Sequence, residues 1–420
     1  MENETAAPRK PDNVEDTGLD FHFLAELALK TVYSDTNCTT ERVAQKLRVP
    51  MAVADPLLQH LYHEKLVEIR GEIGFQNHRY AMMDRGWERV SRLLDMCGYI
   101  GPAPVNLNAY TERILEQERT REPIDLELFQ KSFADLVLSE RVLQTLSLVV
   151  SSRRSLFMTG PPGNGKTSIA HALHSAMGGV MWIPYAIEVD GQIIKVFDNY
   201  CHDPVPANGL ERYDQRWILI KRPRIMVGGE LTIEEMDLIY SPTVRYYEAP
   251  FQMKSNGGTL VIDDFGRQRV DPRDLLNRWI IPLESHIDYL TLHTGKKIEV
   301  PFEQLLIFAT NLDPDTLVDQ AFLRRLGYRL WVEPPSAETY GAIFRHCAKT
   351  KGLALEPDLL DALLARYRCE GRDMRCCEPR DLTERCLDIC RIENREPELT
   401  QDLLNLAWTS YFGVKGEEKY

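Results

Sequence analysis

The sequence predicts an α/β protein built on a parallel sheet, and three observations carry the prediction. The apolar run Ser155 to Met158 leads through a glycine-rich loop into "SIAHALHSAM", a strand–loop–helix order. Two further runs, "GGTLVIDDFG" and "EQLLIFATNLDP", read as strands buried on both faces, as parallel strands are. Ahead of these, the stretch from about Phe21 to Cys97 has helical apolar spacing broken by two short extended pieces.

Composition bounds the rest. A chain of 420 residues, 44% apolar and 27% charged, is an ordinary folded protein with room for two to four domains. Its formal charge of -13 argues against wholesale coating of nucleic acid, although a local basic patch is left open. No apolar run approaches the ~20 residues of a spanning helix, so no membrane partner is expected. Residues 1–20, "MENETAAPRKPDNVEDTGLD", are polar and acid-rich and read as a disordered tail without a signal peptide; the expected location is cytoplasmic. The nine cysteines include no C-x-x-C pair, which favours reduced thiols. Cys386 and Cys390 lie one helical turn apart with no nearby His, and read as core positions rather than zinc ligands.

In chain order, "FHFLAELALKTVY", "TTERVAQKL" (capped by Thr39 or Thr40) and "VADPLLQHLYHEKL" predict three helices. The extended pieces "VEIR" and "RYAMM" and a helix over "DRGWERVSRLLDMC" follow. This order over residues 21–97 resembles a winged helix-turn-helix. In such a module the third helix enters the major groove. Here it offers Gln59, His60, His63 and Lys65 but no arginine, which leaves protein contact and DNA contact as two readings. Residues 98–125 open with Gly, Pro and Asn and read as a linker.

The loop after Met158 is Gly160-Pro161-Pro162-Gly163-Asn164-Gly165-Lys166-Thr167, followed by Ser168. It has the form G-x-x-x-x-G-K-T in the context that mechanism requires. Glycines let backbone N–H groups curl around phosphates, and the helix N-terminus adds its positive dipole end. Lys166 meets the outer phosphates, and Thr167 completes a Mg2+ shell. The run "LVIDDFGRQ" then brings Asp263 for the metal and Asp264 for the attacking water, with the alternative that the two exchange emphasis. Asn311 ends the next strand, Arg324 and Arg325 follow on a short helix, and Arg380 lies in the first turn of a helix starting at Pro379.

These pieces, in this order, resemble the AAA+ ATPases over roughly Leu126 to Phe412. The resemblance implies a parallel αβα P-loop NTPase core at 126–333, a helical lid at 334–420, ATP and Mg2+ as ligands, and a homo-oligomeric ring, usually hexameric. It implies that Asn311 is a first sensor, Arg380 a second, and Arg324 or Arg325 a finger reaching a neighbour's γ-phosphate. Two hairpins are expected: one in the long insertion over 185–250, around Asp190-Gly191, and one around Thr294-Gly295-Lys296. The insertion reads either as a pore or substrate element or as an elaborated sheet edge. The second hairpin is similar to one in the MoxR-type and enhancer-binding branches. The wider stretch also looks like bacterial chaperone-like ATPases loosely linked to pilus assembly. The implied activity is ATP hydrolysis that remodels a protein partner; a DNA-associated regulator or loader and a slow nucleotide switch are the alternatives. One residue departs from the family pattern. The second acid is usually Glu, and Asp264 retracts the carboxylate by ~1.5 Å, comparable to the ~1 Å misplacement that costs ~100-fold in rate. Hydrolysis, slowed by that departure, is the expectation.

Overall fold

The computed structural model describes residues 6–36, 38–74, 77–207, 213–317, 323–356 and 358–413. They form an α/β fold in two compact units whose boundaries differ from those expected. The first comprises Met1–Pro123, Gly178–Val261 and Gln268–Leu306; the second comprises Ile124–Met177, Ile262–Arg267 and Ile307–Tyr420.

In the first unit, helices Phe21–Tyr33, Thr40–Leu47, Met51–His63 and Asp84–Met96 and the antiparallel pair Val67–Glu72 and His78–Met82 stand where the periodicity puts them. Their starts are set by side chains: Asp20 accepts from the Phe23 N–H and Thr39 from the Arg42 N–H. Leu24, Leu27 and Ala28 recur at helical spacing and are buried against Val53, Leu57 and Val90. Each large aliphatic side chain so buried contributes about 1.5–3 kcal/mol.

Two expectations fail in this unit. Residues 1–5 lie outside the described residues, but the rest of the expected disordered tail is ordered. Pro8 O accepts from the Asp214 N–H at 2.9 Å, residues Glu15–Thr17 form a helical turn, and Leu19 is buried. The cause is long-range: the buried Arg216 guanidinium donates to Thr17 O at 2.8 Å and to Pro104 O at 3.2 Å. A polar composition cannot reveal such a partner. The expected linker at 98–125 is also structural. Val105–Asn106 pairs parallel with the strand Ala186–Val189, and helix Leu107–Arg119 buries Tyr110 and Ile114. Asn106 is the cap of that helix, accepting from the Ala109 N–H at 2.7 Å, so the turn-forming residues mark a helix start.

Both hairpins form. Ala186–Val189 pairs with Gln192–Lys195 through Asp190 and Gly191 at φ 50° and 78°, the backbone of a primed two-residue turn. This hairpin belongs to a five-stranded sheet in the order Ile239–Ser241, Tyr246–Glu248, Gln192–Lys195, Ala186–Val189, Val105–Asn106. Ile287–Thr291 pairs with Lys297–Pro301, with Gly295 at φ 84° in the connection.

The strand that leads into the glycine-rich loop is Leu156–Thr159. In the second unit, Leu156–Thr159 is parallel to both neighbours, facing Ile307–Thr310 and Tyr328–Trp331. All four of its residues are buried, as a continuous apolar run requires. The C-terminal part is helical: Ala337–Thr350, Leu359–Glu370, Glu378–Ile392 and Gln401–Phe412. They enclose a core that includes Phe344, Tyr367, Leu382, Trp408 and the buried thiols Cys386 and Cys390. Among the described residues, no helix is long and apolar enough to cross a membrane.

Candidate functional site

A cleft of ≈ 420 Å³ lies in the second unit. Its lining brings together Lys166, Thr167, Asp263, Asp264, Asn311 and Arg380, which the sequence places up to 214 positions apart (380 minus 166). Pro162, Gly163, Asn164, Gly165 and Ser168 also line it.

The glycine-rich loop is shaped by backbone conformations and approaches that a side chain obstructs. Gly160 has φ 145°, and a Cβ there would stand 2.2 Å from Val332 O. Gly163 has φ 80°, and its Cβ would stand 2.8 Å from the Cys377 sulfur. Gly160→Ala is therefore expected to cost about 2–4 kcal/mol, read as a lower urea midpoint at unchanged slope. Gly165→Ala is the control: φ is 87°, but no heavy atom lies within 4 Å of its Cβ, so the cost is about 1–2 kcal/mol.

Helix Lys166–Met177 begins at the end of the loop, with the Ile169 N–H donating to Gly165 O at 2.8 Å. The Lys166 ammonium donates to Gly160 O at 2.8 Å and Pro161 O at 3.0 Å, and also to Asn311 Oδ1. Burial draws its pKa below the ordinary lysine range, while Asp263 and Asp264 pull the other way. Thr167 Oγ1 donates to Asp263 Oδ2 at 2.9 Å. A hydroxyl and a carboxylate side by side are hard oxygen donors, the set that suits Mg2+. Asn164 Nδ2 is buried and has no hydrogen-bond partner among the described residues.

The two acids sit on a turn just past their strand, which ends at Ile262. Phe265, fully buried, packs its ring against Phe157 and Phe308 and donates its N–H to Ala309 O at 2.8 Å. That anchor leaves Asp264 in the left-handed region, φ 48°. Aspartate tolerates this conformation better than glutamate, because its short polar side chain bonds locally. Asp264 Oδ1 accepts from Asn311 Nδ2 at 3.0 Å, and the Asp264 N–H donates to Asp263 Oδ1 at 3.0 Å. Asn311 thus bridges Lys166 and Asp264.

Arg380 reaches the cleft from the first turn of Glu378–Ile392, its Nε and Nη2 both donating to Asp381 Oδ1 at 3.0 and 2.9 Å. Arg324 is exposed and Arg325 half-buried, and neither lines this cleft. Sequence reasoning missed the other wall, which includes Leu136, Val137, Ile343, Cys347, Cys376 and Cys377. The signal was weak: Cys376 and Cys377 stand just ahead of Arg380, with no partner at helical spacing to mark them. Cys377 N–H donates to Gly163 O at 2.9 Å and Cys376 N–H to Asn164 Oδ1 at 3.3 Å, so these residues pack on the loop. Burial pushes the Cys376 thiol up to about 11 and moves Cys347 and Cys377 the same way. The three thiols are neutral near pH 7, so they add no negative charge beside an anionic ligand.

The family described as "Domain of unknown function (DUF8689)" matches residues 336–410, within the C-terminal helical part. No curated protein matches the chain. Among solved structures, the chain is similar to NtrX from Brucella abortus in complex with ADP, at TM-score 0.42 and 18% identity over 73% of this chain and 62% of that one. The same protein in complex with ATP gives 0.39 and 17% over 71% and 63%. The chain thus spans less than two thirds of the length of those NtrX chains. It is also similar to the Thermotoga maritima RuvB Holliday junction branch migration motor, at 0.37 and 13% over 73% and 74%.

Proposed function

We propose that the chain is an AAA+-type ATPase that binds Mg2+ and ATP in this cleft and hydrolyses ATP. The observation that carries the reading is the convergence of Lys166, Thr167, Asp263, Asp264 and Asn311 on one loop–helix junction, joined by hydrogen bonds. In this reading the backbone N–H groups of Gly163 to Thr167 and the start of helix Lys166–Met177 hold the phosphates. The apolar wall of Leu136, Val137 and Ile343 takes the base. Thr167 and Asp263 hold the Mg2+, which when bound neutralises charge on the phosphate oxygens. The Lys166 ammonium leaves its loop carbonyls for the outer phosphates. Asp264 accepts a proton from the attacking water, and Asn311 orients that water through its bond to Asp264.

Arg324 and Arg325 lie off their own chain's cleft, which supports a finger role toward a neighbouring copy in a ring. Turnover per chain is then expected to rise with protein concentration, and Arg324→Ala or Arg325→Ala to lower it by on the order of 10³ at saturating concentration. Turnover independent of concentration and of both arginines contradicts the shared site.

For the work done with ATP, we favour remodelling of a protein partner recruited by the N-terminal block, read as a winged helix. Two of the polar groups at its third helix are engaged locally, while His63 and Lys65 are exposed: Gln59 donates to Asp55 Oδ2 at 2.7 Å, and His60 packs edge-on against Phe21 and His22. Groups so occupied are poor readers of base edges. Salt-insensitive, weak retention on duplex DNA is the expected result; tight retention lost with added salt supports the DNA-directed alternative.

A further inference from the structure

Arg380 is the cleft cation with the most solvent contact, its side chain 61% exposed, and a long flexible arginine has no defined aim unless something orients it. The structure supplies an orienting chain. Both Nε and Nη2 of Arg380 donate to a single oxygen of Asp381, Oδ1. That side-on grip restrains the guanidinium plane while leaving hydrogens on its Nη atoms for an acceptor in the cleft. The other oxygen, Asp381 Oδ2, accepts from the Tyr411 hydroxyl at 3.2 Å, 30 positions further along the chain on helix Gln401–Phe412.

Tyr411 is itself held. The Arg385 guanidinium lies over its ring at 5.0 Å, and Phe412 meets it edge-on at 4.8 Å. Burial, with Cys377 and Asp381 beside it, raises the Tyr411 phenol, so it remains the donor in its bond to Asp381. The Cys377 thiol also reaches this phenol, and Cys377 packs on Gly163 of the phosphate loop. One tyrosine therefore touches both the support of the loop and the support of Arg380.

We propose that Asp381 is a positioning residue for Arg380, held in register by Tyr411, and that this chain sets the preference of the cleft for ATP over ADP. The inference rests on the ATP reading above, since Arg380 has a task only if a γ-phosphate enters the cleft. Asp381 touches no ligand in this scheme. An exposed ion pair adds little to stability, so the geometry of the pair is better explained by what it aims.

The test measures equilibrium affinities for Mg-ATP and Mg-ADP in an Asp264→Asn background, where turnover is blocked. Arg380→Ala is expected to reduce the ATP-over-ADP ratio about tenfold, the worth of one charge-assisted hydrogen bond. Asp381→Ala is expected to reduce the ratio about threefold to tenfold, and Arg380→Ala with Asp381→Ala together no further than Arg380→Ala alone. Asp381→Asn, which keeps Oδ1, restores part of the ratio. Tyr411→Phe, which removes only a hydroxyl, lowers it in the same direction. A loss of ATP and ADP affinity by the same factor in Asp381→Ala overturns the proposal, as does full additivity with Arg380→Ala or an Arg380→Ala ratio equal to wild type. Lys166→Ala separates the two levels. If it weakens ATP while Asp381→Ala preserves the ratio, only the positioning role fails. If it leaves both affinities unchanged, the ATP reading fails and the positioning role with it.

Discussion

Lys166→Ala is expected to lower ATP turnover by on the order of 10²–10³, the loss typical of one preorganised donor aimed at developing charge. Its ammonium already lies at the mouth of the loop, bonded to Gly160 O, Pro161 O and Asn311 Oδ1. Those are neutral acceptors, and a phosphate oxygen carrying charge forms the stronger bond. Exchange is therefore downhill when ATP binds. Alanine removes the cation together with its bonds to those loop carbonyls, so nucleotide affinity and the urea midpoint are measured beside turnover. Steady-state phosphate release reads the effect directly. A Lys166→Ala variant as fast as wild type is incompatible with the proposed site.

Asp264→Asn is expected to cost a comparable amount, about 10²–10⁴-fold, since the amide is nearly isosteric but accepts no proton. Asp264→Glu is the sharper experiment. If the shorter acid were a defect, glutamate would raise turnover. The structure predicts the opposite. At φ 48° Asp264 is already within 3.0 Å of Asn311 Nδ2, so its reach is supplied by the turn rather than by side-chain length. Glutamate brings a left-handed backbone cost of about 1–2 kcal/mol. It also displaces the carboxylate by ~1.5 Å, beyond the ~1 Å that costs ~100-fold. Lower turnover in Asp264→Glu than in wild type is the expected result, measured as phosphate release under saturating Mg-ATP.

That residue shows how far the sequence could be read. The glycine-rich loop, the acidic pair, Asn311 and Arg380 were legible because strand–loop–helix order and short-range spacing encode them. The structure brings them to one cleft. The backbone of Asp264 was not legible, because its φ is imposed by Phe265 anchoring between Phe157 and Phe308, two contacts distant in sequence. The same limit explains the N-terminal residues: an acid-rich stretch reads as disordered until Arg216, two hundred positions away, donates to Thr17 O. It explains Asn106 as well, where a helix cap reads as a linker when the helix behind it is polar on one face. Helices and hairpins with local signals came out in place; partners chosen by tertiary packing did not.

The cleft wall makes the same point at the candidate site. Cys376 and Cys377 carry no spacing signal like that of Cys386 and Cys390. They are half-buried, and their backbone N–H groups bond to the glycine-rich loop at Gly163 and Asn164. Sequence spacing cannot join residues more than two hundred positions apart. Cys386 and Cys390, on the same helix as Arg380, are buried in the helical core as their spacing indicates.

The central claim is that this cleft binds ATP and cleaves it with Asp264 as the base. Single-turnover release of phosphate from γ-labelled Mg-ATP, comparing wild type with Asp264→Asn at matched nucleotide occupancy, tests it most directly. The account predicts that both proteins bind the nucleotide and that only wild type releases phosphate at a measurable rate. Equal release from the two, or none from wild type at full occupancy, contradicts it.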